Sequence, residues 1–250
     1  MITIGAVGDV HLDKDAAGTL RPALGRIADK ADVLLLAGDL TRHGTVAEAR
    51  VVADEFGGLD VPVIAVLGNH DYDRDAVPEV TEVLADADIH VLEGDGVVLS
   101  LPGGTLGVAG VKGFGGGFEG KCGSAFGEPE MKAFISHTVA AADRLRTTLN
   151  SLDCDVKVAL THYAPIPETV HGEPPEIYPF LGAYQLGNAI DCCDTALALH
   201  GHAHFGSERG VTPGGVPVRN VAQPVINAAY ASYRLPASVQ EPMTEVYQPT

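Results

Sequence analysis

The sequence predicts an α/β fold in which two β-sheets pack face to face with helices on the outside. Three observations lead there. Short apolar runs end abruptly in polar residues, helical spacing fills the gaps between the early runs, and after Ala85 brief strand-like stretches are separated by tight Gly and Pro turns.

The apolar runs are Ile2 to Val7, Val33 to Ala37, Val63 to Leu67, Val156 to Leu160 and Ala196 to Leu199. Runs this continuous suit strands buried on both faces, as in sheets covered by helices. Helical spacing is expected over 18–31, 45–57, 75–88 and 129–150. Alternation of strand and helix implies βαβ units with right-handed crossovers, whose ligand site collects at the C-terminal ends of the strands. Ile89 to Leu92, Val97 to Leu101, Thr105 to Val111 and Gly215 to Val221 suggest antiparallel hairpins forming a second sheet. The expected organisation is one domain over 1–230, with 231–250 as a closing segment or tail.

Composition narrows the function. With 46% hydrophobic and 20% charged residues the chain can bury a sizeable core. No apolar run approaches the roughly 18 residues that span a bilayer, and the opening Met1-Ile2-Thr3-Ile4 lacks a basic flank and a cleavage site, so a cytoplasmic protein is expected. Cys122, Cys154, Cys192 and Cys193 show no CxxC spacing, which fits a reducing compartment. The formal charge of −17 argues against general affinity for nucleic acid or an anionic membrane. It leaves room for a small phosphorylated substrate, because long-range repulsion is screened within roughly 8 Å at physiological salt. The oligomeric state is open, and a homodimer is compatible with the sequence.

Each apolar run delivers polar residues to what should be a common rim: Gly8-Asp9-Val10-His11, Gly38-Asp39, Gly68-Asn69-His70-Asp71, Thr161-His162 and Gly201-His202-Ala203-His204. Singly, each reads as a turn or a satisfied core histidine. Together and in this order they resemble the calcineurin-like metallophosphoesterase superfamily, over most of the chain from Asp9 to His204, with the smaller bacterial members such as class III cyclic-nucleotide phosphodiesterases the nearest in pattern. The resemblance implies a four-layer sandwich of two mixed β-sheets flanked by helices, the metallo-dependent phosphatase fold. It further implies that Asp9, His11 and His204 hold a first metal ion, that Asn69, His162 and His202 hold a second, and that Asp39 bridges them.

The chemistry follows from that set. Two ions about 3.5–4 Å apart need a ligand reaching both, which a carboxylate does well. Imidazoles and carboxylates without thiolate favour two divalent or trivalent first-row ions such as Mn, Fe or Zn. Against the charges of Asp9 and Asp39 the centre stays cationic and suited to a phosphate anion. The expected activity is hydrolysis of phosphodiesters or phosphomonoesters by a hydroxide between the ions, with His70 beside the metals as acid or phosphate ligand. Asp71 is expected to fix the loop.

One comparison within the superfamily matters. Phosphoprotein phosphatases read Gly-Asp-x-x-Asp-Arg-Gly after the bridging aspartate, the second aspartate orienting the catalytic histidine and the arginine binding phosphate. This chain reads Gly38-Asp39-Leu40-Thr41-Arg42-His43-Gly44, so His70 must be oriented by something else. Gly115 to Cys122 imitates a phosphate-binding P-loop, yet Cys122 stands where Ser or Thr would hold Mg and no helix start follows; a flexible rim loop is expected over 113–127. His43 falls between substrate contact and solvated loop, His200 reads as core or as support for the ligands, and the proline-rich stretch from Tyr163 to Tyr184 reads as a pocket wall or a rigid surface loop. Two other functions compete: a metal-stabilised binding or scaffold protein, opposed by the complete ligand set, and a nuclease, opposed by the absence of a basic, aromatic-laced groove.

Overall fold

A computed structural model describes residues 1–236. The first half is β1 (Ile2–Val7), α1 (Arg21–Leu24), β2 (Val33–Ala37), α2 (Val46–Phe56), β3 (Val63–Val66), α3 (Val77–Asp86) and β4 (Ile89–Val91). A hairpin follows, β5 (Asp95–Leu101) with β6 (Gly104–Val111), then a two-residue hairpin β7 (Gly117–Phe118) and β8 (Lys121–Cys122), and the long helix α4 (Pro129–Ser151). The chain continues through β9 (Val156–Thr161), α5 (Tyr178–Leu181), α6 (Tyr184–Asp191), β10 (Thr195–His200), β11 (Arg209–Val211), β12 (Pro217–Asn220), α7 (Gln223–Ile226) and β13 (Ala231–Leu235).

Two large mixed sheets face one another. One has the order β13-β1-β2-β3-β4, the other β11-β12-β10-β9-β6-β5. Strands β1 to β4 run parallel, as do β6, β9, β10 and β12, so both sheets present C-terminal strand ends at one side. Antiparallel pairing is confined to β13, β11 and β5 at the edges and to the small β7–β8 ribbon.

Alternate residues of β2 explain its unbroken apolar run. Val33, Leu35 and Ala37 point between the sheets, where they meet Ile4, Val66, Val108, Val158, Leu160 and Leu199. Leu34 and Leu36 point outward into a layer made by Leu24 of α1, Val52 and Phe56 of α2, and Val80 and Leu84 of α3. On the far side Ala109, Ala159 and Ala198 pack under Leu145 and Leu149 of α4 and Leu186 and Ile190 of α6. The small residues on that outer face let the helices approach closely. Four layers result, in the order helix, sheet, sheet, helix.

Two expectations are corrected in detail and one is refined. Ile89 to Leu92 does not join the second sheet: β4 pairs in parallel with β3, as the last strand of the first sheet. The stretch 215–221 does form an antiparallel hairpin of the second sheet, β12 with β11, and its other edge runs parallel to β10. The helix expected over 18–31 is broken into α1 and a single 3-10 turn at Ile27–Asp29. Gly25 closes α1, and the buried Glu55 carboxylate fixes where it starts by accepting the backbone N–H groups of Gly18, Leu20 and Arg21. By contrast α2 starts as its sequence suggests, with a Thr45/Glu48 capping box.

Beyond residue 230 the chain opens with β13, which pairs with β1; the rest of the expected tail, 237–250, lies outside the described residues. No helix among the described residues is long and apolar enough to cross a membrane. All four cysteines are free.

Candidate metal centre

Parallel strand ends put the polar residues in one place. Asp9 follows β1, Asp39 follows β2, Asn69 and His70 follow β3, His162 directly follows β9, and His202 and His204 follow β10. The turns are backbone-strained: Asp9, His11, Asp39 and His202 have φ of 54°, 42°, 49° and 70°. That left-handed region disfavours residues with a Cβ, and strain of this kind collects where geometry serves a site. Two glycines make the close approaches feasible. A Cβ on Gly68 would run into Asp39 Oδ1, and one on Gly201 into Asp9 Oδ2.

All seven residues expected as ligands come together. Asp9, His11, Asp39 and His204 form one group whose ligand atoms lie within 4.8 Å of one another, and Asp39, His162 and His202 form a second. Asp39 belongs to both. Asn69 joins the second group through Oδ1, 2.9 Å from His162 Nε2. His70 stands beside the first, its ring edge-on to His11 with centroids 4.5 Å apart and its Nε2 4.0 Å from Asp39 Oδ2.

The donor set fits cations, because lone pairs converge with too few protons between them. His162 Nδ1 donates to the Ala37 carbonyl at 2.9 Å, so in the neutral ring Nε2 offers a lone pair toward the Asn69 amide. Nε2 of His11 and Nε2 of His204 confront each other at 3.3 Å, where only one can donate. His202 Nε2 donates to the Phe180 carbonyl at 3.1 Å, leaving Nδ1 free to ligate.

Electrostatics point the same way. Burial pushes the Asp9 carboxyl up to about 6, with further pressure from Asp39. Burial lowers His11 to about 4 and, with His162 beside it, His202 to about 3; His162 itself is held well below the ordinary imidazole value. His204 alone is raised, by its 2.8 Å hydrogen bond to Asp9, so this pair shares one proton. Cations here would satisfy both the carboxylates and the unprotonated rings.

Asp71 ties the loops together. Its carboxylate accepts from the backbone N–H of Thr41 and of Gly68, each at 2.8 Å, and from the Thr41 hydroxyl at 2.6 Å. The His70 N–H donates to Asp39 Oδ1 at 2.8 Å, and His70 Nδ1 donates to the Arg42 carbonyl at 2.8 Å. His43 is half-exposed and paired with Glu48 at 2.8 Å. His200 is buried and bonded to the Thr169 hydroxyl at 2.7 Å. Neither belongs to the metal-ligand groups. The P-loop imitation folds into the β7–β8 ribbon, and the next helix begins only at Pro129.

Lys112 is absent from the sequence expectations, and Tyr163 enters them only as the first residue of the pocket wall or surface loop. Tyr163 packs its ring against His202, centroids 4.4 Å apart, and Lys112 places its ammonium 5.4 Å from the Tyr163 ring centre. A signal for Lys112 existed: β6 ends in Val111-Lys112-Gly113, an apolar run closing on a polar residue like the other five.

Comparison with known proteins identifies the family and the fold. A family model described as calcineurin-like phosphoesterase matches residues 2–206. No curated protein matches the sequence. Among solved structures the fold is similar to that of phosphopantetheinyl hydrolase from Mycobacterium tuberculosis, at 18% identity over 88% of each chain with a TM-score of 0.63. It is also similar to GAP50, the anchor in the inner membrane complex of Plasmodium, at 9% identity over 89% of this chain and 72% of that one, TM-score 0.57. A putative 5′-nucleotidase from Staphylococcus aureus aligns at 15% identity and TM-score 0.58 over 88% of this chain but 48% of its own length. At these identities the likeness is one of fold.

Proposed function

Because the chain belongs to the calcineurin-like phosphoesterase family, we propose that it hydrolyses small phosphate esters, diesters or monoesters, at a two-metal centre. Asp9, His11 and His204 hold one ion, Asn69, His162 and His202 the other, and Asp39 bridges them. The observation that carries this reading is the sharing of Asp39 between two adjacent ligand groups. The oxygen and imidazole donors favour Mn, Fe or Zn. Such ions would supply an ionised water to attack phosphorus and positive charge against the phosphoryl oxygens.

The chain's own residues do the rest. The Ala37 carbonyl keeps the proton of His162 on Nδ1, and the Phe180 carbonyl keeps that of His202 on Nε2, so each ring presents a lone pair inward. Asp71 and Gly68 hold the loop that carries Asn69 and His70 against Asp39. His70, pinned through Nδ1, presents Nε2 toward the substrate, where it donates to a phosphoryl oxygen or protonates the departing one. The four free thiols favour a reducing compartment and hence the cytoplasm.

The test is turnover of bis-p-nitrophenyl phosphate by metal-stripped protein before and after loading with Mn. Activity should vanish on exhaustive chelation and return with about two ions per chain. Activity that survives chelation with metal absent by elemental analysis would end the two-metal reading, and a loaded protein inert toward every phosphate ester would make the fold a binding scaffold.

A further inference from the structure

Lys112 is a buried cation that makes no ion pair among the described residues. Its side chain is 8% exposed, and its ammonium lies 4.6, 5.2 and 5.4 Å from the ring centres of Tyr72, Phe114 and Tyr163. Lysines are rarely buried so far unless paired. The nearby carboxylate is already committed: one oxygen of Glu93 accepts from Arg144 and the other from the backbone N–H of Lys112 itself, each at 3.1 Å. Among the described residues the Lys112 ammonium forms no ion pair. Burial is not complete, since 8% of the residue stays exposed.

The surroundings of Lys112 border the metal centre. Tyr72 lies in the same 3-10 turn as His70. Tyr163 follows His162 in the chain and packs on His202. Two of the three rings against the ammonium thus belong to residues joined to the centre, Tyr72 through the His70 turn and Tyr163 through its packing on His202. The rings around it are also wide enough to flank a planar or apolar linker.

Resting on the phosphoesterase reading, we infer that Lys112 receives a second anionic group of the substrate, separate from the phosphoryl group at the metals. The preferred substrates are thus phosphate esters that also bear a carboxylate or a further phosphate. An ammonium held by three rings is pre-organised for such a group, and the surrounding apolar walls strengthen the pairing relative to bulk water.

The test is binding, measured by calorimetry on Mn-loaded protein with phosphonates that cannot turn over. Three probes share one metal-binding head: phenylphosphonate, 4-carboxyphenylphosphonate and 1,4-benzenediphosphonate. The two dianchored probes should bind roughly tenfold to a hundredfold more tightly than the first, the size of one charge-assisted hydrogen bond. The two of them together separate a carboxylate from a phosphate preference. Lys112→Met keeps the stem packed and should erase that gain while leaving phenylphosphonate within about twofold of the parent; Lys112→Arg should retain most of it. Equal binding of all three probes by the parent protein would overturn the inference even if the variants failed to fold. So would a uniform loss in Lys112→Met. If no probe binds the Mn-loaded protein, the phosphoesterase reading falls and this inference with it.

Discussion

The Nδ1 N–H of His70 donates to the main-chain carbonyl of Arg42 across 2.8 Å, so a peptide oxygen occupies the role that an aspartate side chain fills in phosphoprotein phosphatases. The Arg42 side chain turns away, to Asp13 at 3.2 Å on the surface. Exposed pairs contribute about 0–1 kcal/mol. Arg42→Ala should therefore keep kcat within about twofold, and a loss comparable to that of a His70 variant would show that the guanidinium, not the carbonyl, matters.

His70→Asn should discriminate between leaving groups. A p-nitrophenolate departs without a proton and an alkoxide does not, so the alkyl ester should lose activity far more, by about 10²–10⁴-fold. Metal content should stay near that of the parent. A uniform loss over both esters would instead make His70 a phosphate ligand, and loss of an ion would make it a metal ligand.

Asp39→Ala should deplete metal more than Asn69→Ala, because Asp39 belongs to both ligand groups and Asn69 touches one. Elemental analysis after gel filtration decides it. Equal depletion in the two variants would contradict the bridging assignment.

Acidification should empty the centre in two stages. Asp9 and His204 both have raised affinity for the proton they share, and a ligand that holds a proton cannot hold a metal. Metal affinity of that half should fall as pH drops through about 6, the value to which burial lifts Asp9. His162 and His202 are displaced the other way, His202 to about 3, and remain unprotonated over that range. Metal analysis after dialysis at stepped pH should show one ion leaving first; simultaneous release would count against the asymmetry.

Asp71→Ala should destabilise the fold. It strands the buried N–H groups of Thr41 and Gly68, at about 1–3 kcal/mol for each orphaned group. Asp71→Asn keeps one acceptor and should recover part of the loss. Urea unfolding of the two variants reads this directly, and an unchanged midpoint for Asp71→Ala would remove Asp71 from the loop-fixing role.

The site was legible because its residues sit where local patterns change: a both-faces-buried strand such as β2 writes an unbroken apolar run, and whatever follows it in sequence lies at the rim in space. Features that depend on distant partners were not legible. Ile89–Val91 is too short to reveal which sheet it joins, and only the pairing with β3 decides. The start of α1 depends on Glu55, 34 residues beyond Arg21. The support of His70 was invisible for a deeper reason: its acceptor is a backbone carbonyl, which every residue type carries. Lys112 gives no local sign of burial, because a lone lysine after a strand ordinarily means solvent and its place among three rings exists only in three dimensions.

The positive-φ backbone at Asp9, His11, Asp39 and His202 puts strain under four of the converging side chains. Glycine at any of them would relax the main chain while deleting a donor, and asparagine would relax it while weakening one. A lineage that kept this architecture but abandoned its chemistry would have every thermodynamic reason to drift toward those two residues there. Their presence or absence at the four sites therefore offers a way to sort the descendants of this fold into those still under catalytic constraint and those that have been released from it.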